Sequence, residues 1–183
     1  MNAVQRLSPA RTVARALLAA ALGALLPTAG AAELPARAEL QQRLGREPAT
    51  VRVVEPHLST AQKPQRLSYR GWPATQVLDA LFGPEWKDPR VDIEFRALDG
   101  YVSRIPSERF RRHRAWLVFE RTDQPEFSVH NLAQNEKNVP LGPYYLVWDN
   151  IRSPELLAQG AANWPYQVAQ VLLSTQRTAA LLP

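Results

Sequence analysis

The sequence predicts an α+β domain with a mixed, largely antiparallel sheet and short helices. Three observations point there: many short runs of apolar, β-branched and aromatic residues bounded by turn signals, only a few brief segments with helical spacing, and no segment repeating at a fixed period. A doubly wound parallel fold would need long helices, and the chain has none.

Taken in order, residues 33–46, "ELPARAELQQRLGR", set Leu34, Ala38 and Leu44 among charges and predict a short amphipathic helix stopped by Gly45. "TVRVVE" predicts a strand, and "PHLSTAQKPQ", with Pro56 and Pro64, a loop. A short strand to Tyr69 and a turn at Gly71 then lead to a helix with Pro73 in its first turn. Val77, Leu78 and Leu81 stand at helical spacing, and Gly83-Pro84 ends it. "VDIEFRA" alternates, and Asp99-Gly100 turns it into "YVSRIP", a hairpin. Ser107 is placed to cap a helical turn through "ERFRRH". "AWLVFER" returns as a strand, residues 122–139 read as one long polar loop, and "YYLVWD" is the next strand. Ser153, Pro154 and Gly160 punctuate a helix of under two turns, and "WPYQVAQVLL" closes the fold as a strand.

The beginning of the chain reads as a secretory signal. Arg6, Arg11 and Arg15 precede an apolar stretch, residues 16–26, followed by the small residues Ala29, Gly30, Ala31 and Ala32. That stretch is shorter than the roughly 20 residues a bilayer-crossing helix needs. Residues 1–31 are therefore expected to be cleaved, leaving residues 32–183 as a single domain, periplasmic or secreted by the general route, with no stable membrane span. The formal charge of +5 loses three arginines and no acid with the leader, so the case for a nucleic-acid partner falls away. No cysteine occurs, so no disulfide, thiolate metal ligand or CxxCH haem attachment is open to it. The single methionine is Met1, which leaves with the leader.

The order of "YRG", "WPATQVLDALFG", "VDIEFRALDGYVSRIPSERF" and "PLGPYYLVWDN" resembles the short periplasmic relatives of the sulfite oxidase family's molybdopterin-binding domain, over about residues 67–148. The resemblance implies a sheet curled into a barrel-like α+β domain, with loops walling a pterin pocket. Molybdopterin as a cofactor is implied by this resemblance alone. Catalytic members hold molybdenum through a cysteine thiolate before the segment that here reads "HLSTAQKPQRLSYRG", and this chain has no such residue. Family members loaded with the cofactor leave the cytoplasm folded, behind an Arg-Arg leader, whereas Arg11 and Arg15 are separated here. Family activity is therefore not carried over, and no cofactor and no metal ligand is expected.

The candidate ligand-binding residues are Asp99, Tyr101, Arg104, Gly142, Tyr144 and Trp148. Asp99 before Gly100 is first of all a turn former, and beside a surviving pocket it and Tyr101 would be the polar lips. Gly142, between Pro140 and Pro143, allows close backbone approach at the pterin-facing wall that the resemblance implies. Arg111, Arg112 and Arg114 in "FRRHR", with Trp164, are the candidate partner-binding residues. They suit an acidic partner or a phosphate, or else form a solvated face. His57, His113 and His130 share no metal-ligand spacing and are expected as surface or loop residues. No Gly-x-Ser-x-Gly occurs. The leading expectation is a non-catalytic or accessory binding module beside an electron-transfer chain, with an exported c-type cytochrome or another periplasmic redox protein as partner. Two others stand beside it: an oxidoreductase holding a pterin-type molybdenum cofactor without cysteine, and a periplasmic small-molecule carrier.

Overall fold

The computed structural model describes residues 31–175. The expected leader lies outside these residues except for Ala31. The elements run β1 (Ala31–Glu33), α1 (Arg37–Leu44), β2 (Ala49–Val54), β3 (Arg66–Pro73), α2 (Ala74–Phe82), a 3₁₀ turn (Glu85–Lys87), β4 (Val91–Ala97), β5 (Val102–Pro106), α3 (Ser107–Arg112), β6 (Ala115–Arg121), β7 (Ser128–Asn131), β8 (Glu136–Pro140), β9 (Tyr145–Trp148), α4 (Pro154–Ala158) and β10 (Val168–Thr175). This is the strand-rich α+β class with short helices that the sequence predicts.

The strands form two four-stranded sheets, β1-β10-β4-β5 and β2-β3-β6-β9, and a separate hairpin, β7-β8. Every pairing among these strands is antiparallel, so the sheet is not mixed. A single bridge, Tyr144 to Val168, stitches the two larger sheets together at one corner, and one sheet curls into a half barrel. The core lies between the sheets and under α1 and α2. Trp72, Trp86, Trp148, Tyr69, Tyr145 and Phe95 are its largest fully buried members. Their polar tips are all spoken for where they are buried: Trp72 Nε1 donates to the Arg46 carbonyl at 3.1 Å and Trp86 Nε1 to Asp79 Oδ1 at 2.8 Å.

The local chemistry explains most boundaries. Gly45, in the left-handed region at φ 59°, closes α1 by donating to the Gln41 carbonyl. The hairpin β4-β5 forms as expected, in the register Ile93 to Ile105. Ser153 caps α4 by accepting from the Leu156 amide. Elsewhere the sequence expectation gives way. Gly71 is not a turn but a bulged position inside β3, where a Cβ would sit 2.2 Å from the Leu117 carbonyl oxygen. Ser107 does not cap α3; its hydroxyl donates to the Asp88 carbonyl at 2.8 Å, across the fold. The long polar loop contains the hairpin β7-β8, whose strands are too short to show a clear period. The last strand begins at Val168, because Trp164, Pro165 and Tyr166 stand outside it as a corner.

Candidate functional site

Chain segments far apart in sequence meet on one carboxylate. Glu55 continues the inward parity of Val51 and Val53 beyond the end of β2 and is fully buried. It accepts from the Tyr69 hydroxyl at 2.6 Å, the Tyr145 hydroxyl at 3.0 Å and the His57 backbone N–H at 3.1 Å. His57 Nδ1 lies 2.8 Å from the same oxygen that Tyr145 reaches most closely. The two phenols and the backbone N–H all donate to Glu55, and a carboxylate has lone pairs for several donors at once. Burial first, and then the negative Glu55 beside them, push the Tyr69 and Tyr145 hydroxyls well above the ordinary tyrosine range. Arg121, paired with Asp123 at 2.5 Å, adds a positive field from β6.

The bonding at Glu55 assigns the ring proton of His57 to Nδ1. The loop that carries the ring is held in turn by the Glu55 amide on the Gln65 carbonyl at 2.8 Å and the Leu132 amide on the His57 carbonyl at 2.9 Å. His57 is only 9% exposed, and what it exposes faces a cavity of about 210 Å³ edged by Asp99, Tyr101, Gln134, Trp164 and Tyr166. No hydrogen bond reaches Nε2 among the described residues. His57 thus stands in a loop, one of the two places the sequence suggests, but is not a surface residue: one nitrogen is anchored to a buried acid and the other is left for the cavity.

Asp99 is both things the sequence offered, a turn former whose Oδ1 accepts from the Tyr101 amide at 2.9 Å and a lip of the cavity. Tyr101 is beside it and exposed. The other candidates do not converge on this place. Arg104 donates to Glu94 at 2.7 Å, and Arg96 reaches the same carboxylate at 2.7 Å. Burial opposes the charge on Glu94, but these two guanidinium bonds overcome it and hold its carboxyl low. Gly142 precedes a cis peptide to Pro143, and a Cβ added there would lie 3.4 Å from the Phe127 ring. Tyr144 is buried with its hydroxyl on the Pro35 carbonyl at 2.7 Å, and Trp148 is buried with Nε1 on the Asn163 carbonyl at 2.7 Å. Tyr144 and Trp148 are core side chains and line no part of the cavity beside Tyr101. Trp164 is 3% exposed, so it offers a cavity wall and not a flat partner face. Arg111 is exposed; Arg112 stands 3.9 Å from Glu108 and Arg114 3.7 Å from Asp149. Arg109 lies over the Trp148 ring at 4.6 Å and hydrogen-bonds Gln159, and burial lowers its pKa.

Two of the larger concavities carry less chemistry. One of about 760 Å³ contains Asp88 and Arg90, which neutralise each other at 2.7 Å, a pairing that pushes the Asp88 carboxyl down to about 2. The other, about 510 Å³ between the loop after β2 and α4, is lined by Pro56, Pro64, Leu156 and Leu157 and no titratable group. Among the described residues no group of three or more His, Cys, Asp or Glu is placed to hold a metal, and no helix is long and apolar enough to cross a membrane.

No family model matches the chain, and no curated protein matches it either. The cavity at His57 offers one imidazole nitrogen and one carboxylate, no thiolate, and no arginine or lysine for a phosphate tail. The lining of this cavity does not fit molybdopterin.

Sequence reasoning did not bring Glu55, His57, Tyr69 and Tyr145 together. The signal it had was an acid at inward strand parity two residues before a histidine.

Proposed function

We propose that the chain is an exported accessory binding module, non-catalytic, with its site in the cavity at His57. The observation that carries this reading is the arrangement there: a nine-tenths buried histidine, fixed at Nδ1 by Glu55, turns its remaining nitrogen to a cavity with aromatic walls. Cavities of this kind, largely pre-formed and with a few convergent polar groups, are how small-molecule sites are built. The relation to the molybdopterin-binding domain of the sulfite oxidase family comes from the sequence resemblance, and the strand-rich α+β architecture agrees with it at the level of fold class only. The redox partner, a c-type cytochrome or similar exported protein, comes from that resemblance and from the exposed Arg111, Arg112 and Arg114, which suit an acidic surface.

The test is isolation of the protein from its native compartment, with metal analysis, absorbance and identification of co-purifying proteins. A colourless, molybdenum-free preparation that brings down a haem protein, and loses it when Arg111, Arg112 and Arg114 are changed to glutamine, is the expected result. Stoichiometric molybdenum would overturn the non-catalytic reading, and absence of any partner would overturn the redox association.

A further inference from the structure

We propose that the cavity at His57 binds a small organic ammonium ion. This rests on the binding-module reading above and gives it a ligand class. Three independent features set that class. The first is the sign of charge. Asp99 lines the cavity, fully buried Glu55 lies directly behind His57, and no arginine or lysine lines the wall. In the adjoining concavity, which shares Asp99 and Tyr166, Glu136 and Lys137 offset each other. Arg121 is engaged by Asp123 and by the Ser128 carbonyl at 2.9 Å. An anion entering here meets two carboxylates and no compensating cation, whereas a cation gains from both.

The second feature is the wall. Tyr101, Trp164 and Tyr166 supply three aromatic side chains around one small space. Aromatic faces attract a cation through the ring quadrupole, and the attraction grows as water is excluded. Trp164 and Tyr166 are held in place from behind, at 6.0 Å and 6.4 Å from the Tyr145 ring, so the wall is set before any ligand arrives.

The third feature is the acceptor. With Nδ1 held by Glu55, Nε2 is the ring nitrogen left without a partner among the described residues, on a side chain about nine-tenths buried. An ammonium N–H or a hydroxyl close to the cationic centre satisfies it. The volume of about 210 Å³, set against roughly 30 Å³ per water molecule, admits a ligand of on the order of seven non-hydrogen atoms.

The experiment titrates the purified protein with choline, with its neutral isostere in which a quaternary carbon replaces the nitrogen, and with acetate. The Trp164 indole and His57 imidazole NMR signals report binding. Choline is expected to shift both saturably and to bind at least about tenfold more tightly than the isostere, with acetate silent. Asp99→Asn, which keeps the Oδ1 acceptor for the Tyr101 amide, is expected to weaken choline by about fivefold or more and to leave the isostere unchanged. Tyr101→Leu, at an exposed position, serves as a second variant with the same expectation. Equal binding of choline and isostere, or preference for acetate, would overturn the ammonium class and leave the cavity as a binding site. No saturable shift with any of the three would overturn the cavity as a small-ligand site, while capture of a redox partner would still stand or fall on its own.

Discussion

Replacing Glu55 with leucine tests the centre of the site directly. The carboxylate is fully buried and accepts from Tyr69, Tyr145 and His57, so its removal strands several donors where water does not reach. The His57 Nδ1–H can then donate to the Tyr145 oxygen, 3.1 Å away, which leaves the Tyr69 and Tyr145 hydroxyl protons and the His57 amide as the orphans. At about 1–3 kcal/mol for each buried unsatisfied group, less the gain from no longer burying a charge, the net loss is about 3–5 kcal/mol. For a domain of this size that lowers Tm by roughly 6–20 °C. Urea unfolding followed by tryptophan fluorescence measures it. The sharper test is a reversal of sign. Tyr69→Phe should destabilise the parent by about 1–2 kcal/mol, because Glu55 loses a donor, yet stabilise the Glu55→Leu background, because an orphan disappears. If Tyr69→Phe destabilises both backgrounds equally, the carboxylate is not the acceptor that organises this core.

The tyrosines give the fold an alkaline limit. Tyr69, Tyr144 and Tyr145 have folded pKa values raised above the ordinary 10.0, so their contribution is complete below pH 10 and is lost as pH rises towards the folded values. Tyr69 and Tyr145 each take about 1.4 kcal/mol per pH unit above that point. Tyr144→Phe, removing a hydroxyl that burial pushes up to about 12, should make the fall shallower only between pH 10 and about 12, as read from urea midpoints across that range. Gly71→Ala should cost more than about 3 kcal/mol or abolish soluble expression, since the new Cβ meets backbone at 2.2 Å and not a side chain that can move. Asn150→Ala removes a two-way clamp on Val54, at 2.9 and 2.8 Å, from a residue 2% exposed; a loss of about 2–4 kcal/mol is expected in the same unfolding assay. Ser153→Ala should cost about 1 kcal/mol by removing the cap of α4, without altering the cavity.

How far the sequence could be read depended on whether a feature is local. Alternation in "VDIEFRA" and the Asp99-Gly100 turn act over a few residues, and the β4-β5 hairpin forms as read. The cap at Ser153 is equally local. Gly71 failed because glycine marks both turns and close strand approaches, and only the partner strand decides which applies. Glu55 failed for a different reason. Its parity with Val51 and Val53 puts it inside, but an acid at a strand end is ordinarily read as the start of a loop. The residue that makes its burial tolerable, Tyr145, stands 90 positions away. Likewise Trp148 and Tyr144 look amphipathic in sequence, yet each spends its polar tip on a backbone carbonyl from a distant segment. Neither was available for a ligand.

The cavity is therefore a product of topology more than of motif, and its rigidity has a visible source. The corner that supplies Trp164 and Tyr166 lies between two non-glycine residues in the left-handed region, Asn163 at φ 65° and Gln167 at φ 54°. Asparagine enters that region readily; glutamine does so at a cost of order 1 kcal/mol and persists only where its surroundings over-determine it. Gln167 meets that condition: its amide donates to the Leu141 carbonyl at 2.9 Å, its side chain donates to the Pro140 carbonyl at 3.1 Å, and its own carbonyl accepts from Leu98 at 3.0 Å. Those bonds tie the corner to the entrance of β9 on one side and to the turn that carries Asp99 on the other. The aromatic wall and the acidic lip are thus fixed to each other through one strained residue. Binding there need not order a loop, so the entropic cost falls mainly on the ligand, which is the condition under which a site this small can hold one.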